Sequence, residues 1–343
     1  MESNLQISVI IPTLNRPKEA LENVKSLLRA FETKLPYSLK IILSENNSDE
    51  ELRIQQDSIE ELIRQFSRRE IQLTFIRQPS RLSLGAHMHL LSNNSSDWQL
   101  WIGDDDCVSP EFIRRSISEI LTNSDLTAIT CKFLNCTRST FFELCESFIL
   151  DDTNQWNKKI ENNTNSNSAT NCWVISKSVA HDALRGHQLS GLFIRGDVVR
   201  SCLNHMNPEN LYPWITYMGF AATAGKIIHF QAVGVAVTSD TPKHFSYRMD
   251  GLQPEIVEAA RSIPNLHGVT KILTICHCTA SRKTVWRMEN TSSNKLKQIG
   301  NYARLLTHKK IPLYAWFVGL AGLIKYLMQN SIRYRLEQRG IKV

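Results

Sequence analysis

Trp98-Gln99-Leu100-Trp101-Ile102-Gly103-Asp104-Asp105-Asp106-Cys107-Val108-Ser109-Pro110 is the stretch that decides how the rest of the chain is read. An apolar run of strand length stops at Gly103. Three carboxylates follow, and Ser109-Pro110-Glu111 then supplies a hydroxyl cap with proline at the first helical position. Adjacent aspartates repel one another and cost stability unless a cation sits among them. At the C-terminal end of a strand such a cluster suits Mg2+ or Mn2+, hard ions that take carboxylate and phosphate oxygens and keep some of their waters. In an open α/β sheet that edge is also where ligands bind. Taken alone, the triplet is equally a solvated acidic turn that caps the next helix, so its neighbours decide.

Upstream, residues 5–13 are nearly continuous β-branched and apolar, as a central parallel strand requires, and stop at Pro12-Thr13-Leu14-Asn15-Arg16-Pro17. A helix follows, with Ala20, Leu21, Val24, Leu27, Leu28 and Phe31 on one stripe. Residues 39–45 form a second strand ending in Asn46-Asn47-Ser48-Asp49, and a polar helix runs from there to about Arg69. Residues 71–76 read as a third strand, and a loop from Arg81 enters a helix through Leu84-Gly85-Ala86. The strand before the Asp triplet is the fourth. Strand and helix alternate throughout, which predicts a doubly wound α/β sheet with right-handed crossovers.

Downstream, a helix over 109–122 and a strand over 126–134 are expected, then a surface loop or insertion at 151–171, rich in Asn, Asp, Ser and Thr. Strands are expected again at 172–175 and 189–195. A helix opened by Pro208–Pro213 runs to near Gly225, and a strand covers 226–237. A polar loop at 239–250 carries His244, and the chain is helical from about Pro254. The one long apolar run, residues 311–324, is bracketed by His308-Lys309-Lys310 and by Lys325, Arg333, Arg335 and Arg339. It is short for a membrane span. A basic-flanked helix bearing Trp and Tyr suits the membrane interface; packing on the domain or on a second subunit of a homo-oligomer is the alternative. Tyr212, Trp214 and Trp173 are aromatic groups that either stack on an acceptor or fill the core.

The 343 residues are 42% hydrophobic and 21% charged, with a net charge of +7, which calls for an anionic partner. Nucleic acid is disfavoured: no helix-turn-helix, RNP or zinc-finger signature is present, and the basic residues gather beside the apolar C-terminal helix. Of the eight cysteines no pair has CxxC spacing. Cys276-His277-Cys278 lies in a helical pattern, where residues two apart diverge, so buried thiols are expected. Free thiols fit a reducing cytosol, and residues 1–6 lack the features of a signal peptide.

Together, the strand end Pro12-Thr13-x-Asn15-Arg16, the strand end Ser44-Glu45-Asn46-x-Ser48-x-Glu50, the Leu84-Gly85-Ala86 loop-helix and Gly103-Asp104-Asp105-Asp106 resemble a family 2 glycosyltransferase of the GT-A fold. Within it, the chain looks similar to the abequosyltransferase-like branch that builds bacterial surface polysaccharide such as O-antigen. The resemblance implies a Rossmann-like nucleotide-binding sheet with helices on both faces plus a C-terminal helical extension. It divides the chain into a glycosyltransferase domain over 1–250 (nucleotide-binding half 1–115, acceptor half 116–250) and a helical region over 251–343.

The resemblance also implies roles. Pro12, Thr13, Asn15 and Arg16 would wrap the nucleobase and ribose. Glu45, standing where members carry Asp, would accept from a ring N–H, favouring UDP or dTDP. Arg81 would lie near the diphosphate, and Asp104 would contact ribose or sugar. Asp105 and Asp106 would hold Mn2+ or Mg2+, with His244 as a third ligand. Glu209 is the candidate base and Asp197 the second candidate. The implied reaction is an inverting transfer from a nucleoside-diphosphate sugar to a hydroxyl of a lipid-linked glycan, at the cytoplasmic face of the inner membrane. The alternatives are a sugar-nucleotide nucleotidyltransferase, whose glycine-rich loop is missing from residues 12–17, and a non-catalytic sugar-nucleotide-binding protein.

Overall fold

The computed structural model describes residues 5–31, 37–66, 71–150, 154–163, 173–175, 178–186, 188–240, 252–280, 309–322 and 324. Its centre is β1 (Gln6–Thr13), in which every residue after Gln6 is buried. β2 (Ser38–Glu45) and β4 (Trp98–Trp101) flank β1, both parallel to it, and β3 (Ile71–Arg77) lies parallel outside β2. Buried on both faces, β1 needs apolar side chains at successive positions. Ile7, Val9 and Ile11 pack with Val24 and Leu27 of α1 (Pro17–Ala30), Ile59 of α2 (Gln56–Phe66) and Ile113 of α4 (Pro110–Thr122). Ile10 packs on the other face with Met88 of α3 (Leu84–Ser92), Val199 of α8 (Gly196–Leu203) and Met218 of α9 (Pro213–Ala224). Each fully buried side chain of this size contributes roughly 1.5–3 kcal/mol.

The order of the main sheet is β3-β2-β1-β4-β8-β6-β9-β5, with β7 (Trp173–Ile175) paired to β9. β8 (Leu192–Arg195) runs antiparallel to β4 and to β6 (Leu126–Cys136), and β6 is parallel to β9 (Lys226–Thr238). β1, β2, β4, β6 and β9 therefore all end at one edge. That edge gathers the turns at 13–16, 45–49, 103–106, 136–138 and 238–240. β8 runs the other way, so Ser190 and Gly191 enter at this edge while Arg195 leaves at the opposite one.

The sheet is mixed rather than wholly parallel, and three local expectations change. The Asp triplet does not run straight into α4: β5 (Cys107–Val108) first pairs with Ala236 and Val235 of β9. Within the expected loop at 151–171, Asn154–Asn163 is helix α6, and Trp156 packs against Phe148 of α5 (Arg138–Ile149) with ring centroids 5.5 Å apart. One buried aromatic anchors a segment whose other residues show no apolar period. The helix expected from Pro208 begins only at Pro213.

The C-terminal region is helical where described. α10 (Leu252–Arg261), α11 (Gly268–Ala280) and a helix over 313–322 share a core with α7 (Val179–Arg185) and α9, built from Leu184, Ile215, Val257, Ile275, Cys278, Ile311 and Ala315.

Next to the edge where β1, β2 and β4 end, His87 of α3 is 2% exposed, and its Nε2 lies 2.8 Å from the Ser44 hydroxyl at the end of β2. Burial pushes its pKa down to about 4. The unfolded chain takes up that proton near pH 6.5, the native state only near 4, so this site weakens the fold as pH falls through that window. Acid titration of unfolding should lose up to about 3 kcal/mol there, and His87→Gln should flatten that part of the curve. An unchanged slope in the variant refutes the assignment.

Candidate active site

The three aspartates are all buried, and they are held in different ways. Asp104, 2% exposed, accepts from the Thr13 hydroxyl at 2.7 Å. Arg16 Nη1 lies 3.1 Å from Asp104 and 2.6 Å from Asp105. Asp106 accepts from the Ser190 hydroxyl at 2.5 Å and from the Thr238 backbone N–H at 3.1 Å. The backbone of the turn is tied as well. Asn23 Nδ2 of α1 donates to the carbonyls of Gly103 (2.9 Å) and Asp106 (3.0 Å), and Gly103 N–H donates to Ser190 Oγ at 2.7 Å. Thr238 Oγ1 donates to the Asp105 carbonyl. Asp106 thus joins β4, the strand-entry turn before β8 and the end of β9.

Burial pushes the Asp104 carboxyl up to about 7; Arg16 and the Thr13 hydroxyl oppose the shift, while Asp105 and Asp106 add to it. For Arg16, burial disfavours the charge, but Asp104, Asp105, Asp106 and Glu19 outweigh it and hold the guanidinium above its ordinary value.

A second wall is built from the ends of β1 and β2. Asn15 takes a left-handed backbone (φ 58°), which asparagine tolerates. Its N–H donates to Ser48 Oγ at 2.9 Å, and its side chain exchanges hydrogen bonds with Asp49. Asn46 exchanges two more with Leu82. Arg81 pairs with Asp49 at 2.6 Å, with both side chains about half exposed. Glu45, expected to offer its carboxylate to a nucleobase, has no exposed surface: Oε1 accepts from Ile54 N–H at 2.9 Å and Oε2 from Arg77, whose other arm reaches the Ile54 carbonyl.

Glu209 is exposed and precedes α9. Ser83 Oγ, the cap of α3, donates to its carboxylate, and a Cβ on Gly85 would collide with its backbone. A chain of contacts therefore runs along the edge through Asp104–Thr13, Asn15–Asp49, Asp49–Arg81, Asn46–Leu82 and Ser83–Glu209. Asn210 is buried and bonds to Glu255 and Glu258 of α10. Tyr212 and Trp214 are core residues, 4% and 5% exposed.

The structure does not bring Asp197 to this edge. It sits beyond β8 at the opposite end of the sheet, where Arg195 (2.6 Å) and the Val198 N–H outweigh its partial burial and hold its carboxyl below the ordinary range. His244 and the Trp173 side chain lie outside the described residues.

Ser190, Thr238 and Asn23 had no sequence signal pointing to the site. They stand 84, 132 and 83 positions from Asp106, and only strand order brings them there. Arg138, at the start of α5, is a further cation at this edge, paired with the buried Glu19. Among the described residues, no three His, Cys, Asp or Glu side chains converge as a metal-binding group.

No curated protein matches the sequence. Among solved structures, the chain superposes on Staphylococcus aureus TarS 1–349 in complex with UDP-GlcNAc with a TM-score of 0.58 at 14% identity, covering 97% of this chain and 92% of that one. The same TarS fragment in another crystal structure gives 0.56 at 13% identity, with 93% and 89% covered. The mannosyltransferase PcManGT from Pyrobaculum calidifontis, in complex with GDP-Man and Mn2+, is more distant: 0.45 at 10% identity, with 94% and 86% covered. The family model for glycosyl transferase family 2 matches residues 8–182. With half its length matched by that model, and with the mixed sheet of its structural neighbours, the chain belongs to glycosyl transferase family 2 and is a glycosyltransferase of the GT-A fold.

Proposed function

We propose that this glycosyltransferase moves a sugar from a nucleoside-diphosphate sugar to a hydroxyl of a lipid-linked glycan, with inversion at the anomeric carbon. The observation that carries the reading is the contact chain along one sheet edge, from Asp104 and Asp105 past Thr13 and Asn15 to Glu209. The TarS complex with UDP-GlcNAc supports a sugar-nucleotide donor.

The bond from the anomeric carbon to the diphosphate oxygen breaks through an oxocarbenium-like transition state, and the acceptor oxygen attacks from the opposite face. Glu209 takes the acceptor's proton, and Ser83 orients the carboxylate. The leaving diphosphate gains charge, and Arg16 is the nearest guanidinium to the acidic pair; preorganised cations of this kind stabilise such a transition state. The hard oxygens of Asp104 and Asp105 fit Mg2+ or Mn2+ and would hold such an ion beside the diphosphate. Such an ion would add Lewis-acid stabilisation of the leaving group. Asp106, assigned to the metal on sequence, has both oxygens in scaffold hydrogen bonds and acts here as the strut of the turn. Glu45, enclosed by Arg77 and Ile54, serves by holding residues 46–54 in place rather than by touching the base.

Work at a membrane surface, in the synthesis of bacterial surface polysaccharide, is part of the same reading. Among the described residues no helix is long and apolar enough to cross a membrane. Two neighbouring helices nevertheless expose large apolar groups at helical spacing: Val269, Ile272 and Leu273 on α11, and Leu313, Tyr314, Phe317 and Val318 on the last helix. Lys309 is exposed and Lys271 partly exposed beside them, as an interfacial anchor on anionic lipid requires.

Saturating UDP or dTDP should raise the melting temperature by about 5 °C or more; no shift with any nucleoside diphosphate, with or without Mn2+, refutes the donor reading. Glu209→Gln should lose about 100-fold or more in transfer while keeping the nucleotide-induced shift. Full turnover in that variant would place the base elsewhere. Asp106→Ala, which strands Ser190 Oγ and the Thr238 N–H, should cost about 2–4 kcal/mol in denaturant unfolding. The double change Leu313→Glu with Phe317→Glu, at exposed positions, should abolish cosedimentation with phosphatidylglycerol vesicles and leave melting unchanged; undiminished binding counts against the membrane role.

A further inference from the structure

The acidic pair already has a cation of its own. The Arg16 side chain is 11% exposed, and its Nη1 straddles Asp104 and Asp105 at 3.1 and 2.6 Å. Arginine ordinarily grips a carboxylate with two parallel, directed hydrogen bonds. Here one nitrogen is shared between two carboxylates, and the buried Nε and Nη1 have no hydrogen-bond acceptor in good geometry. The contact neutralises charge without locking the side chain.

The backbone beneath it, by contrast, is fixed. The Arg16 carbonyl accepts from Ala20 N–H at 3.1 Å as α1 begins, and Asn15 before it is pinned by Ser48 and Asp49. With the backbone at Arg16 held in place, any exchange of the guanidinium's partners falls to its side chain. It lies against Asp104 Oδ1 and Asp105 Oδ2, two of the oxygens a divalent ion at this pair would use, while the third aspartate is already tied to Ser190 and Thr238.

We propose that Arg16 is a displaceable counter-cation of Asp104 and Asp105: it disfavours a divalent ion arriving alone, and releases the pair when a diphosphate arrives to take the guanidinium. Metal and diphosphate then bind with positive coupling, because each removes the obstacle to the other. A buried guanidinium that lost its carboxylates to a bare metal ion would be left uncompensated; the diphosphate provides its new partner, in the planar bidentate geometry that the carboxylates do not offer. The proposal rests on reading this edge as a diphosphate site, but its first arm does not need a nucleotide.

The test measures Mn2+ binding to the full chain by the loss of the free-ion EPR signal, with and without inorganic pyrophosphate, in wild type, Arg16→Met and Arg16→Lys. Expected is a Kd for Mn2+ alone about 10-fold or more tighter in Arg16→Met than in wild type, with Arg16→Lys resembling wild type. Pyrophosphate should tighten Mn2+ binding to wild type about 10-fold and to Arg16→Met much less. Should Arg16→Met be only marginally folded, the same competition is read from melting, where Mn2+ alone should stabilise it more than wild type. Equal Mn2+ affinity in wild type and Arg16→Met, or no binding to either, overturns the proposal. If pyrophosphate alters neither protein, the diphosphate reading and the exchange step fall with it, while a gain in the Mn2+-only arm would still show Arg16 to be the competing cation.

Discussion

Three consecutive carboxylates can be buried at the mouth of a sheet only if something other than water offsets their charge. Here the burden is split between two kinds of partner. Asp104 and Asp105 share Arg16, whereas Asp106 is held by two neutral donors, a hydroxyl and a backbone N–H. The split separates roles within one short turn. The residue tied by neutral donors can anchor the backbone permanently, since nothing that binds the site need disturb it. The residues paired with Arg16 keep oxygens that an incoming cation can compete for. Burial pushes the Asp104 carboxyl up to about 7 even with Arg16 and the Thr13 hydroxyl opposing the shift.

The sheet order makes that turn work. Because β8 runs against its neighbours, it delivers Ser190 to the edge where β1, β2 and β4 end, and because β6 and β9 run with them, Thr238 arrives there too. Gly191, at φ 83°, makes the entry into β8, a backbone conformation that disfavours side-chain-bearing residues. The same reversal carries Arg195 and Asp197 to the far edge. A carboxylate near a strand in sequence is thereby no guide to which end of the sheet it occupies.

Much of the frame was legible in the residues themselves. The β-branched run at 6–13, the stripe from Ala20 to Leu28 and the Ser109-Pro110 helix start are local signals, set by burial on one or two faces and by the geometry of a helix terminus. The acidic turn was legible for the same reason: an apolar strand that ends in charge must end at an edge. Less legible was α6, where Trp156 alone supplies the anchor that an apolar period normally provides.

What the sequence determined by itself was the set of strand ends, the triplet between β4 and α4, and hence the edge that carries the candidate site. What only the tertiary structure decided was the division of labour on that edge. Arg16 could be read as a loop residue but not as the partner of Asp104 and Asp105, Glu45 as an open carboxylate but not as one enclosed by Arg77, and Ser190 and Thr238 not at all. The reason is physical. Local patterns report burial and backbone preference, which depend on neighbours within a few residues. A hydrogen bond between side chains some hundred positions apart depends on strand order and direction, and only the folded sheet sets these.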